Sequence, residues 1–258
     1  MANFHVEVGV VSRGKGKSIT RAVSYVGRTK LYDYYKREHC SYPKKDLLYF
    51  KIYLPINAPP QFSNPQILCN EIDKSEKRYD ARTARTFICS LPNELPFNEL
   101  VEIVNEFVQE NFISKGLCSI VAIHEGRNTK NPSHNNPHAH IIVTTRTLGK
   151  DGFNAKKDRE HDKKNYVHLW RENWAKVQNR AYERNRLDIR VSHESLEVQG
   201  EHEREPTIHL SQRDWQKEQK GERTAVGDRK RAIKKRNQEK TLKRQREQEC
   251  TLEMELSR

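Results

Sequence analysis

The stretch Ile120-Val-Ala-Ile-His124-Glu-Gly126 and its continuation Asn136-Pro-His138-Ala-His140-Ile-Ile-Val-Thr-Thr-Arg146 decide the fold. Two apolar, β-branched runs flank a segment rich in Asn, Pro and Gly, the pattern of two antiparallel strands joined by a long hairpin loop. Side chains alternate faces along a strand, so His138 and His140 point the same way. On the first strand Ile120, Ala122 and His124 share a face, and a suitable register brings His124 beside the pair. Three imidazoles held by two rigid strands can take a metal ion and leave it open coordination positions. A single strand histidine is more often an ordinary hydrogen-bonded residue. The His-apolar-His spacing with a third histidine upstream favours the metal reading.

Composition narrows the class. At 258 residues there is room for one substantial domain and an appendage. Only 34% of residues are hydrophobic and 32% are charged, so a packed core cannot extend over the whole length. The net charge of +13 favours a polyanionic partner. The sequence carries no long apolar run, secretory signal or lipidation motif, which argues against membrane insertion and leaves nucleic acid as the default partner. Five cysteines are scattered without a Cys-x-x-Cys pair, which is neither a disulfide framework nor a cysteine zinc site and fits a reducing cytoplasm.

Outward from the hairpin, Phe4 to Val11 alternates and reads as a first strand. Ser12-Arg13-Gly-Lys15-Gly-Lys17-Ser18 follows, a basic glycine turn through which backbone can approach a phosphate. It is not a Walker loop, because Val11 stands where that motif needs glycine. Ser18 can cap a short helix with Ile19, Ala22, Val23 and Val26 at helical spacing, which carries Tyr25. Further strands are expected at Asp46–Leu54 and Thr86–Leu91, and helices at Ile67–Arg82, Asn98–Phe112 and Tyr166–Arg186. The last has Val167, Trp170, Trp174 and Val177 on one face, and Arg171 and Arg180 are expected on an outer, phosphate-facing side. After Pro206 the chain is mostly charged. Residues 1–210 are therefore assigned to the folded domain and 211–258 to a basic extension, helical or disordered. The fold class is α+β, an antiparallel sheet with helices on one face.

His5 through Tyr25, with Ser-Arg-Gly-Lys-Gly-Lys-Ser and Ala-Val-Ser-Tyr25, resembles the first motif of the plasmid mobilisation relaxases of the MobA/MobL family. Asn136-Pro-His138-Ala-His140 with Thr-Thr-Arg146 resembles their histidine motif. Leu31-Tyr-Asp, Leu54-Pro-Ile-Asn-Ala-Pro, Ser90-Leu-Pro-Asn-Glu-Leu, Gly152-Phe153 and Glu205-Pro-Thr-Ile-His-Leu210 agree as well, in order, over about residues 3 to 230. The resemblance implies an HUH endonuclease that nicks one strand at a plasmid origin of transfer. It implies Tyr25 as nucleophile, joined to the 5′ end with release of a 3′ hydroxyl, and His138 and His140 as ligands of one divalent cation. His124 is the third ligand by strand geometry, with His134 as the alternative. Mn²⁺ or Zn²⁺ suits imidazoles best, and Mg²⁺ is the abundant choice. Single-stranded origin DNA is the implied partner, held by Arg13, Lys15, Lys17, Arg146, Arg171 and Arg180. The resemblance further implies accessory mobilisation proteins and a type IV secretion coupling protein as partners, and a bacterial cytoplasmic location with export on the transferred strand.

A phenol, with an ordinary pKa of about 10, is a weak nucleophile at neutral pH, and a phosphodiester repels anions. A cation on the non-bridging oxygens answers both difficulties. The sequence departs from the family at two places. Ala84-Arg85-Thr86 stands where many members have Ala-Arg-Glu, which leaves that carboxylate's task to Asp73 or Glu76, or to no residue. Val26 stands where many have arginine. Two rivals compete. One is a rolling-circle replication initiator, in which Tyr166 or Tyr182 would attack. The other is a non-catalytic basic nucleic-acid-binding protein whose histidines hold a structural metal.

Overall fold

A computed structural model describes residues 4–127, 135–201, 204–208 and 210–256. Their contacts separate one unit ending at His193 from a second, Glu194–Arg258.

In the first unit, β1 (Val6–Ser12) leads through a 3-10 turn into α1 (Ile19–Gly27). A small ribbon follows, β2 (Leu31–Asp33) paired with β3 (Glu38–Cys40), then β4 (Leu47–Tyr53) and α2 (Pro65–Ser75). Next come β5 (Arg82–Ser90), α3 (Phe97–Asn111), β6 (Leu117–His124), β7 (His138–Gly149), β8 (Gly152–Phe153) and α4 (Asn165–Arg184). The main sheet runs β1-β5-β7-β6-β4, every pairing antiparallel, with β8 folded back on β7. The expected strands and helices are therefore present.

Three expectations need correction. Helices cover both faces of the sheet, not one. All eight residues of β6 are buried, and β5 and β7 bury residues on both sides, so each face needs a cover. On one face Phe87, Val121, Ile141 and Val143 pack under α3 and α4. On the other, Ala84, Cys118, Ile120, Ala122 and Ile142 pack under α1 and α2. Second, α2 stops at Ser75, because Glu76 leaves helical geometry and turns its carboxylate inward onto Arg146 and Lys157. Third, Val167 is exposed, whereas Trp170, Trp174 and Val177 are buried as expected.

In the second unit, α5 (Gln212–Gln219) is capped by Ser211, whose hydroxyl accepts from the Asp214 amide. The long α6 (Ala225–Leu256) gives the basic extension a helical form. Among the described residues no helix is long and apolar enough to cross a membrane.

The α3–α4 side is knit by aromatic rings: Trp174 meets Phe107 edge-on at 5.0 Å, and Trp170 meets Phe87 at 4.9 Å. Trp174 is fully buried. Trp174→Ala should lower the unfolding free energy by about 3–5 kcal/mol in urea denaturation, the cost of a large core cavity.

Candidate active site

The pairing of β6 with β7 builds the site. His124 stands directly opposite His138, and Ala122 opposite His140, so all three histidines share the face covered by α1 and α2. At the neck of the hairpin Gly126 adopts φ 58°, and a Cβ there would lie 1.9 Å from the Asn136 carbonyl oxygen. Only glycine fits, and the Asn136 amide closes the neck by donating to Gly126 O at 3.0 Å. The ring centroids of His124, His138 and His140 are 4.7 to 5.5 Å apart. One ligand atom from each falls within 4.8 Å of the other two.

Hydrogen bonds fix the ring orientations. His138 donates from Nδ1 to the Asn136 carbonyl at 2.8 Å, and His124 from Nε2 to the Val26 carbonyl at 2.8 Å. A carbonyl can only accept, so the lone pairs lie on His138 Nε2 and His124 Nδ1. This is the arrangement in which metal-ligating histidines are steadied. His140 Nε2 is buried with no hydrogen-bond partner. Burial pushes all three imidazoles below their ordinary pKa, His140 to about 3, helped by the neighbouring His138, His124 and Arg28. Three neutral nitrogen donors, one of them otherwise unsatisfied, fit a divalent transition-metal ion.

Tyr25 reaches this cluster from α1. Ser18 caps the helix by accepting from the Arg21 amide, and Ile19, Val23 and Val26 bury its inner face. Near its end Gly27 lies so close to Phe50 that a Cβ would fall 2.7 Å from the ring. That close approach sets the Val26 carbonyl on His124. The Tyr25 ring, 43% exposed, stands edge-on to His140 at 6.0 Å and to His124 at 6.4 Å. Its ring is thus open to solvent beside imidazoles that are largely buried.

Two residues at the site escaped the sequence reading. Arg28 caps α1 in the left-handed region, with φ 49°. Its guanidinium lies 4.5 Å from the centre of the Tyr25 ring, donates to Tyr25 O at 2.7 Å, and reaches His124 Nδ1 at 3.3 Å. It also grips Asp46 with two bonds of 2.8 and 3.0 Å. Burial opposes ionisation of Asp46, but the bonds from Arg28 and Lys44 prevail and hold its carboxyl well below the usual carboxylate range. The signal was weak: an arginine three positions after the tyrosine, and an aspartate opening a strand.

Asp73 and Glu76, the carboxylates expected to stand in for the family's glutamate, lie elsewhere. Asp73 pairs with Arg13 at 2.7 Å, and Glu76 with Arg146 at 2.8 Å. Glu76 also meets Thr145, five residues along β7 from His140 and about 17 Å at strand rise. Asp46 is the carboxylate linked to the histidines, through Arg28.

The expected phosphate-binding residues separate into two sets. Lys15 and Lys17 are exposed. Arg13 is buried against Asp73, and Arg146 is held by Glu76. Arg171 donates to Val6 O at 3.2 Å, and Arg180 bridges Glu106 and Glu110 of α3. These four guanidinium groups brace the fold. His134 lies outside the described residues.

An antiparallel α+β domain that brings a tyrosine to three strand-borne histidines is the class defined here. The MobA/MobL family model matches residues 17–220, and the chain belongs to that family. It is 30% identical over 254 residues to the probable mobilization protein MobA of Bifidobacterium longum, covering 81% of this chain and 43% of that protein. It is also 30% identical to the conjugal transfer protein TraA of Agrobacterium fabrum, over 81% of this chain and 21% of that one. The chain thus spans less than half the length of these relatives. A solved structure from work on vancomycin resistance transfer in Staphylococcus aureus is 30% identical, with a TM-score of 0.67, covering 74% of this chain and 98% of that one.

The depressed imidazole pKa values carry a stability consequence. Between about pH 6.5 and pH 3 the unfolded chain binds a proton at position 140 that the folded chain refuses, so stability falls as pH falls through that window. Urea midpoints measured in chelator should drop across it, and His140→Asn should flatten the drop.

Proposed function

We propose that the chain is a DNA relaxase that cleaves one specific strand, presented as single-stranded DNA, at a plasmid origin of transfer. The observation that carries this reading is the Tyr25 ring standing against His124 and His140, beside a buried histidine nitrogen with no partner. In the step, the Tyr25 oxygen forms a bond to phosphorus as the bond from phosphorus to the 3′ oxygen breaks. The phenol proton is lost, the departing 3′ oxygen gains one, and the 5′ end remains on Tyr25. Because one phosphodiester replaces another, the reverse reaction can rejoin the strand. His124, His138 and His140 would hold a divalent ion, which supplies positive charge to offset the phosphate and its developing negative charge. Exposed Lys15 and Lys17 suit contacts to the strand's phosphates.

Arg28 acts as a positioning residue. With one guanidinium on the ring and backbone carbonyl of Tyr25 and on Asp46, it ties the end of α1 to the segment entering β4, and a metal on His124 Nδ1 would take over the place of its contact there. Arg28→Ala should slow single-turnover nicking about 10- to 100-fold, the scale of a small misplacement of reacting groups, with little change in single-strand affinity. Arg28→Lys keeps the charge but loses the two-pronged grip, and should recover only part of the rate.

The decisive test uses labelled single-stranded oligonucleotides covering the origin, with Mn²⁺ or chelator, resolved on denaturing gels. Wild type should give a metal-dependent covalent protein–DNA adduct, and Tyr25→Phe none. An adduct that survives Tyr25→Phe would move the nucleophile to another tyrosine and revive the replication-initiator reading. That rival is poorly served by its candidates. Tyr182 is fully buried, and both Tyr166 and Tyr182 sit on α4, which covers the sheet face opposite the histidines. Tight origin binding without an adduct under any metal condition would favour the binding-protein reading.

A further inference from the structure

At the opposite end of the sheet lies a cleft of about 1000 Å³, between the turn that joins α2 to β5 and the segment following β8. Nine cationic side chains line it against three acidic ones, so its field selects an anion. Its floor is largely neutralised, with three cations against two carboxylates. The buried Glu76 carboxylate takes Arg146 and Lys157, each at 2.8 Å, and the buried Arg85 takes Asp162 at 2.9 Å. The surplus charge sits on the rim, where Lys77, Arg82, Lys156 and Arg159 are exposed and make no ion pair among the described residues. A small anion would be met by donors converging on the floor. Cations spread along a rim instead match the repeated charges of a phosphodiester chain.

Tyr79 adds a second and independent feature. It projects from the same turn, between lining residues Arg78 and Asp80, and is 81% exposed. An exposed aromatic ring beside unpaired cations is what single-strand-binding surfaces use to stack a base while holding its phosphates. A duplex keeps its base faces stacked inside and offers nothing to that ring.

The location separates this cleft from the chemistry. Arg82 lies six residues along β5 from Ile88, the partner of His140, about 20 Å at strand rise. The basic turn after β1 is at the cleft's end of the sheet, since Ser12 pairs with Arg82 and the Arg13 amide donates to Ala81 O at 2.9 Å. From that turn α1 leads back to Tyr25.

We propose that the cleft is a second single-stranded DNA site, in which Lys77, Arg82, Lys156 and Arg159 hold phosphates and Tyr79 stacks on a base. It would grip the strand at a distance from the scissile phosphate. The inference rests on the reading that the chain acts on single-stranded DNA.

The test compares oligothymidylates of about 6 and about 16 nucleotides, which bracket the site sizes of single-strand-binding folds. Affinities are measured over a range of salt for wild type, the charge-reversal variant K77E/R82E/K156E/R159E, and Tyr79→Ala. Circular dichroism confirms folding, and Tyr79→Ala, at an exposed position, serves if the multiple variant fails to fold. In wild type the long oligomer should bind tighter than the short one with a steeper salt dependence. The charge-reversal variant should cut that advantage at least about tenfold and flatten the long oligomer's slope by about 3, at roughly 0.7 for each lost phosphate contact. Tyr79→Ala should weaken long-oligomer binding about fivefold or more. An unchanged slope and advantage in the variants would overturn the second site while leaving the nicking reading intact. Equal losses on duplex DNA of the same length would overturn its single-strand character. Failure of wild type to bind either oligomer would overturn the second site, and the nicking reading is judged separately on oligonucleotides covering the origin.

Discussion

The pairing of β6 with β7 is the constraint on which the rest depends. Side chains alternate along a strand, so a slip of one residue would send all the histidines of one strand to the opposite face. Two features forbid that slip. Both strands are buried on both faces along most of their length and locked between covered layers, and the hairpin neck admits only glycine at position 126. The site thus inherits its precision from the most deeply buried part of the domain.

The two faces of the sheet divide the work. Under α3 and α4 the large aromatic rings supply cohesion, and an ion-pair ladder from Arg180 and Arg184 to Glu99, Glu106 and Glu110 ties the two helices together. Under α1 and α2 the side chains are smaller, and the tyrosine, the histidines and Arg28 gather at one edge of that layer. Helix α1 is a fixed strut in the fold, because Gly27 lets it press on Phe50 and the Val26 carbonyl holds His124.

The basic composition has two physical uses. Several arginines are inward-facing: Arg13, Arg28, Arg85 and Arg146 each neutralise a carboxylate in a sparsely hydrated setting, where planar multi-donor groups suit paired contacts. The charge that faces solvent without a carboxylate belongs to other residues, among them Lys77, Arg82, Lys156 and Arg159. Net charge therefore indicates the class of partner, but only burial and pairing distinguish the cations that brace the fold from those that can meet a phosphate.

Local sequence determined the elements and the principal candidate site residues. Period-two alternation marked β1, apolar β-branched runs marked β6 and β7, Ser18 marked the start of α1, and the spacing of His138 and His140 put them on one face whatever the register. Tertiary structure decided what no local pattern encodes. Helices cover both faces because strands buried on two sides must be enclosed, a property visible only once their neighbours are known. Arg171 and Arg180, outward-facing by helical period, met Val6 and the α3 carboxylates across long sequence separations. Asp46 and Arg28 joined the site through a buried ion pair whose partners are 18 residues apart, and Glu76 was drawn to the far end of the sheet by Arg146. Residue chemistry fixes what a side chain can do. Long-range packing fixes which partner it meets.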